Sequence, residues 1–232
     1  TTVQALGSAG DKALRDEIAA GTRTGPRILS SLGQITPRQA QPAGPDRSGQ
    51  PQPARAGDSA DALRTRVQQL KANGADVIKI FASGSIRDGD KMSVTEEQLD
   101  ALCGEAKAQG LRSVVHAHDP QSIVASVKAG CSQIEHGAYA DDAAIKAMKD
   151  ANVYFDPNIG LVLQNYIENK DKYMGSGNYN ADGFAFMEKA VSTLPPIFRK
   201  ALAAGLRMPM GTDAVAGAHG QNAREIITRV KD

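Results

Sequence analysis

Short apolar runs alternate with longer amphipathic segments along most of the chain. The apolar runs predict seven β-strands, at residues 1–6, 27–32, 76–82, 112–118, 132–137, 152–158 and 207–213. DVIKIF and RSVVHA, in the third and fourth of these runs, are almost continuously apolar. This is typical of strands that are covered on both faces in a parallel sheet.

The amphipathic segments between the strands predict helices with defined ends. Ser59 is expected to cap one helix, and Thr95 followed by Gln98 has the pattern of a capping box. Pro120 stands in the first turn of another helix, where its missing N–H costs nothing. A long helix over 183–205 is expected to bend near its two adjacent prolines.

Strands that alternate with helices predict an α/β fold with a parallel sheet and right-handed crossovers. Seven such units fit either an open doubly wound sheet or an eight-stranded barrel that lacks one strand. The dinucleotide-binding pattern G-x-G-x-x-G is absent after the first strand, where the sequence reads LGSAGDK.

We expect residues 1–232 to form a single domain with two long loops, at 33–58 and 158–182. The first is rich in Pro, Gly, Gln and Ala, and the second contains GSGN. Both follow the carboxyl end of a strand, where barrels build their active sites. Loops of this length are otherwise often disordered, and the sequence leaves both interpretations open.

Composition narrows the function only by exclusion. The formal net charge is +1, with 41% hydrophobic and 23% charged residues. No basic run predicts a nucleic-acid partner, and no apolar stretch predicts a membrane span. The two cysteines, Cys103 and Cys131, are predicted to be buried free thiols. A cytoplasmic location is expected, although a removed signal peptide would leave the compartment open.

Five polar side chains stand at or near the ends of four predicted strands: Lys79, His116, His118, His136 and Asp213. Taken singly, the lysine could extend to solvent, a histidine could belong to the core and the aspartate could cap a helix. Together, at strand ends, they favour a metal site. Histidine and carboxylate suit Zn²⁺, Mn²⁺ or Co²⁺, and a neutral lysine can react with CO₂ to form a carbamate ligand.

Several specific motifs are spread over nearly the whole chain. They are TTVQALGSAGDKALRDEIAAGTRTGPRIL, GADVIKIFASG, AKAQGLRSVVHAHDP, AGCSQIEHGAYADD and FRKALAAGLRMPMGTDA. On these motifs the chain resembles the metal-dependent amidohydrolase superfamily, most closely its imidazolonepropionase-like and prolidase-like branch. The resemblance implies a (β/α)₈ TIM-type barrel. In that family the metals are held by H-x-H on the first strand, a carboxylated lysine, two histidines and an aspartate on later strands.

The resemblance also implies roles for the matching residues. Lys79 would be the bridging carbamate, His116 and His136 would be histidine ligands, and Asp213 would be a ligand and the general base. His118 lies two residues beyond a ligand, on the same strand face, and is expected to contact the substrate carbonyl or the developing oxyanion. The implied cofactor is one or two divalent ions, with zinc the first choice.

The chain departs from the family pattern at its start. Its first histidine is His116, so no upstream H-x-H occurs. We therefore expect an incomplete barrel, with strands 2–8 and no β-sandwich domain, and a site closer to a single metal ion. An open sheet edge of this kind would be covered by a homodimer or higher oligomer.

Three further residues are candidates for substrate binding. Tyr154 shares a strand face with Asp156 and Asn158, Arg87 follows the lysine strand, and His219 follows the last strand. A solvated arginine and an exposed histidine are the simpler explanations for the latter two. A serine nucleophile of the α/β-hydrolase type is disfavoured, because G-x-S-x-G does not occur.

These expectations combine into a metal-dependent hydrolase that cleaves small-molecule amides or esters by a metal-activated water. The amides would be those of dipeptides, N-acyl amino acids or cyclic amides. Two alternatives remain open, an impaired barrel acting as a structural or interaction module and an esterase that needs no metal.

Overall fold

The computed structural model of the chain describes residues 1–41, 43–45, 50–52, 54, 56–215 and 217–231. The chain forms two compact units, residues 1–81 with 93–113 and residues 82–92 with 114–232. The single domain expected from the sequence stays a prediction.

The first unit joins parallel strand pairs through helices. In chain order its elements are β1 (Thr2–Ala5), α1 (Asp11–Ala19), β2 (Arg27–Ser30), β3 (Gln34–Ile35), β4 (Gly44–Pro45), β5 (Pro51–Gln52), α2 (Ala60–Ala72), β6 (Val77–Phe81) and α3 (Glu96–Ala108). β1 pairs in parallel with β2, and β3 with β6, while β4 and β5 pair antiparallel. The three strands predicted in this part of the chain are therefore confirmed.

Both predicted helix caps of the first unit are also confirmed. The Ser59 hydroxyl accepts a hydrogen bond from the Ala62 N–H at 3.2 Å. The Thr95 hydroxyl accepts the Gln98 N–H, and the Gln98 side chain accepts the Thr95 N–H, both at 3.1 Å. These bonds satisfy N–H groups that the start of a helix leaves without backbone partners, so α2 and α3 begin there.

The region 33–58 was expected to be one long loop, but it contains β3, β4 and β5. Residues 42, 46–49, 53 and 55 of this region lie outside the described residues. Three residues, Arg38, Asp58 and Gln98, join the ends of the loop. The Asp58 N–H donates to the Arg38 carbonyl at 3.0 Å, and Gln98 Nε2 donates to the carbonyls of Arg38 and Asp58 at 3.1 and 3.0 Å. We call this arrangement the Gln98 clasp.

The second unit is built on three parallel strands and the helices between and after them. After a 3₁₀ turn at Ile86–Asp88, its elements are β7 (Arg112–Ala117, of which the first two residues belong to the first unit), α4 (Pro120–Lys128), β8 (Gln133–His136), α5 (Asp142–Asp150), β9 (Tyr154–Asp156), α6 (Val162–Glu168), α7 (Lys170–Tyr173), α8 (Ala181–Ala203) and α9 (Ala223–Lys231). β7 pairs with β8 and β8 with β9, all in parallel. Their apolar side chains are fully buried, which explains the unbroken apolar runs: Val114, Val115, Ile134 and Phe155.

α8 covers a separate helical core with one of its faces. The buried positions recur every three or four residues along the helix, and they pack with apolar residues that follow β9. The α8 residues are Phe184, Met187, Ala190, Leu194 and Phe198, and the residues after β9 are Ile159, Val162, Leu163 and Tyr166. Among the helices that the structure describes, none is long and apolar enough to cross a membrane.

The prediction of a long loop over 158–182 is wrong in part, because α6 and α7 lie within this region. The apolar residues of α6 that reach the core are Val162, Leu163 and Tyr166. Their spacing is helical, but the segment is short and polar residues surround it. A pattern of this length does not separate a short helix from a loop on sequence alone.

The strand predicted over 207–213 is reduced to a single bridge. Arg207 pairs in parallel with Tyr154, and the Phe155 N–H donates to the Arg207 carbonyl at 3.0 Å. Pro209 follows and has no N–H to offer a ladder, so the pairing stops there. The backbone beyond this point bonds to side chains instead.

The prediction of two free thiols is wrong. Cys103 and Cys131 are both disulfide-bonded, and the described residues include no free cysteine. Both sulfurs are buried, as expected. A count of two cysteines gives no information about which side chains the fold brings together, so composition favoured the wrong state.

Gly137 provides a test of the packing at the end of β8. Its φ is +54°, and a Cβ at this position would overlap the Phe155 ring. At Gly130, φ is +78° but a Cβ would meet nothing within 4 Å. We expect Gly130→Ala to cost on the order of 1–2 kcal/mol from the left-handed backbone alone. Gly137→Ala should cost more, as measured by denaturant unfolding; equal losses would contradict the packing role of Phe155.

Candidate active site at the carboxyl ends of β7 and β8

Three histidine rings lie together where β7 and β8 end. The ring centroids of His116 and His118 are 4.5 Å apart, those of His116 and His136 4.6 Å, and those of His118 and His136 5.1 Å. The parallel register sets Ala117 opposite His136, so both strands end at the same edge. We call His116, His118 and His136 the histidine cluster. The structure thus brings together all three histidines that the sequence singled out at strand ends.

A short loop fixes the two histidines of β7. The Ala82 N–H donates to the His116 carbonyl at 2.9 Å, and the His118 N–H donates to Ser83 Oγ at 3.1 Å. His116 Nε2 lies 3.2 Å from the Gly84 carbonyl oxygen. A carbonyl only accepts, so His116 Nε2 carries a hydrogen and donates it in this contact. The role of His116 as a metal ligand stays a prediction.

The backbone turns sharply at His136. His136 and Gly137 both have left-handed φ values, +71° and +54°. The Gly137 N–H donates to the carbonyls of Ala117 and Glu135, each at 3.0 Å. A left-handed non-glycine residue is strained, and such residues cluster at functional sites. This turn ends β8 and sets the His136 ring beside the His116 ring.

The histidine cluster has the donor chemistry of a metal site, since imidazole nitrogens are common ligands of Zn²⁺. Within the described ranges, however, no three His, Cys, Asp or Glu side chains are arranged to hold one ion. The rings pack on one another instead, edge to face for His116 against His118 and stacked for His118 against His136. The side chains of the histidine cluster therefore fit a divalent ion by the chemistry of their donor atoms.

Asp213 lies in the loop between Arg207 and α9, exposed and with a φ of +44°. Burial, and next the contact with Tyr179, raises the pKa of the Tyr166 phenol, and the negative charge of Asp213 raises it further. The role of Asp213 as metal ligand and base stays a prediction.

Lys79 lies in the first unit, on β6, opposite Gln34 of β3. It is 5% exposed, between the fully buried Ile78 and Ile80. Its Nζ is 5.3 Å from the centroid of the Phe81 ring. The simpler explanation, a lysine that extends to solvent, is therefore wrong. Carboxylation and metal binding stay predictions.

A buried ion network holds the loop that carries Asp213. The Arg229 guanidinium donates to Asp156 Oδ1 at 2.7 Å, to Glu225 Oε1 at 2.8 Å and to the Pro209 carbonyl at 2.7 Å. The Asp156 carboxylate also lies directly against Gly211, where a Cβ would overlap it. Asp156 is 3% exposed and Glu225 is fully buried, so their charges require this pairing. We call these five residues the Arg229 network.

Tyr154 is set apart from the histidine cluster. It pairs with Gln133 at the start of β8, two residues before Glu135. The Arg207 guanidinium carbon lies 4.1 Å from its ring centroid, and Arg207 Nη1 donates to its hydroxyl at 3.2 Å. These contacts give Tyr154 a packing role at the amino end of the strand, and the structure does not bring it to the histidines.

Arg87 and His219 have different surroundings. The Arg87 guanidinium carbon lies 4.1 Å from the Tyr179 ring centroid, and its Nε donates to Asn178 Oδ1 at 2.8 Å. Arg87 is thus held by neighbouring side chains and is not the freely solvated arginine of the simpler explanation. His219 is exposed in the turn before α9. Substrate binding by either residue stays a prediction.

Sequence reasoning missed Arg229, Glu225 and the environment of Asn158. Arg229 bonds to residues 73 and 20 positions away, and nothing in its helix marks it. Asn158 is 1% exposed, has a φ of +50°, and both its side-chain polar atoms are without a hydrogen-bond partner in the described part of the chain. The one available signal was FDPN at the end of β9, where polar residues follow an apolar strand.

The chain belongs to the amidohydrolase family, since the model of that family matches residues 1–232. This confirms the resemblance that the sequence motifs indicated. The fold also agrees, because strands alternate with helices and the pairs β1–β2, β3–β6, β7–β8 and β8–β9 are all parallel. Members of this family generally use divalent metals and act on small molecules.

Similar proteins add detail to this assignment. Ochratoxinase from Aspergillus niger is 27% identical over 164 residues, which are 69% of this chain and 33% of that protein. The crystal structure of a Xaa-Pro dipeptidase with bound methionine is 29% identical with a TM-score of 0.77, over 100% of this chain and 59% of that one. The crystal structure of the ochratoxinase has a TM-score of 0.78 at 23% identity, over 100% and 56%. The chain therefore spans a third to about three fifths of these relatives, and the likeness confirms the predicted α/β fold of an incomplete barrel.

Asp156 gives a pH-dependent test of the Arg229 network. Burial raises the pKa of its carboxyl to about 6, although Arg229 and the Gly211 N–H lower it. The folded protein then holds a proton on Asp156 more tightly than the unfolded chain, so ionisation of this group lowers stability as pH rises from about 4 to about 6. Denaturant unfolding of the native protein and Asp156→Asn across that window should show the native protein losing stability relative to the variant. A difference that does not change with pH would contradict the raised pKa.

Proposed function

We propose that this chain carries the catalytic residues of a hydrolase that cleaves C–N bonds of small-molecule amides with the help of a divalent metal. The observation that supports this most strongly is the histidine cluster, at the carboxyl ends of parallel strands in a chain of the amidohydrolase family. In α/β barrels this strand end is where catalytic side chains gather. The bond from His116 Nε2 to the Gly84 carbonyl adds support, because metal-binding histidines usually donate their other ring N–H to such a partner.

The proposed ligands are His116 and His136, with Asp213 and a carboxylated Lys79 carried over from the family motif. Zinc is the first choice, with manganese or cobalt as alternatives, because imidazole and carboxylate suit all three. A bound divalent ion supplies Lewis acidity, which lowers the pKa of a water molecule toward neutrality. The number of ions stays a prediction, since the chain has no histidine before His116.

The chain's own residues would carry the proton and the developing charge. The carboxylate of Asp213 would orient the attacking water, take its proton and deliver it to the leaving nitrogen. His118 would donate a hydrogen bond to the carbonyl oxygen of the substrate as negative charge develops there. The hydrogen bond from the His118 backbone N–H to Ser83 Oγ fixes the backbone position from which this side chain extends. Preorganisation of this kind stabilises the transition state more than the bound substrate.

The proposed substrates are dipeptides, N-acyl amino acids or cyclic amides. Two relatives support this choice by their names, a Xaa-Pro dipeptidase and an ochratoxinase. Esters are included because the same attack on a carbonyl serves them. Binding of the substrate carboxylate by Arg87, and assembly into a homodimer or higher oligomer, stay predictions of the sequence.

A cytoplasmic location is not part of the proposal. Cys103 and Cys131 are disulfide-bonded, and structural disulfides are typical of oxidising compartments. We propose instead that the protein works where such a bond persists. Titration of free thiols in the unfolded, unreduced protein would detect none if this is correct.

Metal analysis together with hydrolysis of a small amide and ester panel tests the proposed function. We expect stoichiometric metal in the purified protein, activity lost on chelation, and recovery on adding Zn²⁺. His116→Ala and His136→Ala should each lower metal content and activity by more than about tenfold, since even indirect partners of a metal contribute that much. His219→Ala is the matched control for metal content, because this exposed histidine is not one of the proposed ligands.

The same experiment separates the alternatives left open by the sequence. A folded protein with no bound metal and no activity would favour a structural or interaction module. Ester hydrolysis that survives both chelation and Lys79→Ala would favour an esterase without a metal. Either result would overturn the proposal.

A further inference from the structure

The loop after Arg207 is held by side chains rather than by a β-ladder. Arg229 Nη1 donates to the Pro209 carbonyl at 2.7 Å, and Gly211 packs directly against the Asp156 carboxylate. Asp213 follows two residues later. The backbone that leads into the proposed base is therefore held by one hydrogen bond and one close contact to the same buried ion pair.

Gly211 shows how close this attachment is. A Cβ at this position would overlap the carboxylate of Asp156 and approach Asn158 Nδ2 to 3.1 Å. The loop therefore lies directly against the end of β9. No side chain fits between them, so a shift of the carboxylate is transmitted to the loop.

The other side of the Arg229 network is equally fixed. The Glu225 carboxylate accepts the Ile159 N–H at 3.0 Å and the Gly160 N–H at 2.6 Å. A Cβ at Gly160 would come within 2.8 Å of the Arg224 carbonyl oxygen and of Glu225 Cα. α9 is thus packed against the segment that follows β9. Arg229 projects from a fixed helix onto a loop that has no ladder of its own.

We infer that Arg229 is a positioning residue, which sets the loop carrying Asp213 at the end of β9. Its three acceptors belong to three different parts of the second unit: the carboxylate of Asp156 on β9, the carboxylate of Glu225 on α9 and the carbonyl of Pro209 in the loop. A planar guanidinium reaches all three at once, which a lysine ammonium on a flexible stem does not. The consequence for catalysis rests on the proposed function, in which Asp213 takes the proton of the attacking water.

Hydrogen exchange of the full chain tests this inference directly. In Arg229→Met we expect the amides at 210–215 to exchange at least about tenfold faster than in the native protein, because the Pro209 carbonyl loses its bond to the guanidinium. This is the size expected when a hydrogen bond to a charged group is lost. Protection in β7, β8 and β9 should stay unchanged. The exchange rate in Arg229→Lys should be intermediate, because lysine keeps the positive charge but lacks the planar guanidinium with its several N–H donors.

Arg224→Met is the matched control. Arg224 lies on the same helix and its guanidinium pairs with Glu168, at 2.5 and 2.8 Å, not with the loop. This variant should leave exchange at 210–215 unchanged. It shows whether removing any arginine from α9 loosens the loop.

Kinetics on the metal-loaded protein provide a second measurement. If Asp213 is displaced, kcat should fall by at least about tenfold in Arg229→Met while KM stays within about threefold, since proton transfer depends on position more than substrate binding does. Arg229→Lys should recover part of kcat. A general loss of folded protein would instead lower protection throughout the unit and would not be recovered by lysine.

The outcomes separate this inference from the proposed function. Unchanged exchange at 210–215 in Arg229→Met, or faster exchange spread evenly over α9 and the strands, would overturn the positioning role. If Arg229→Met does not fold, exchange in Arg229→Lys decides, and native-like protection at 210–215 there would overturn it. A native protein that hydrolyses nothing would overturn the proposed function, while the exchange result would still decide the role of Arg229.

Discussion

The parallel pairing of β7 with β8 is the constraint on which the candidate site depends. In this register His116 lies opposite Glu135 and Ala117 lies opposite His136. A slip of one residue would turn every side chain of one strand to the other face, so the three rings would no longer meet. Buried Val114, Val115 and Ile134 hold the register by packing on the strand faces. The chemistry at the strand ends is thus fixed by apolar residues that take no part in it.

Much of the fold follows from local sequence patterns. Six of the seven predicted strands form, because each is an apolar run bounded by turn residues, and the caps at Ser59 and Thr95 form because their bonds are local. The seventh fails for a physical reason. Its Pro209 carbonyl bonds to Arg229 and its Gly211 packs against Asp156, and no pattern within the segment predicts those partners.

The candidate site was predictable to the extent that it lies on strands. His116, His118 and His136 could be placed at one edge because alternating strands and helices require a parallel sheet, whose strand ends meet. Arg229 could not, since it becomes buried only through contacts made across the fold. The state of the cysteines was missed for the same reason. Residues whose role comes from distant partners need the structure to be recognised.

The Gln98 clasp has a consequence for how this chain can vary. It ties Arg38 and Asp58 to the first turn of α3, and the two residues also bond to each other, so the ends of the intervening segment are fixed in place. Lengthening a segment with fixed ends costs only loop-closure entropy, which grows slowly with length. Changes in the length of the region between these ends should therefore cost the first unit little stability. This region, which includes β4 and β5, can therefore change in length while the helices and the parallel strand pairs of the first unit keep their places.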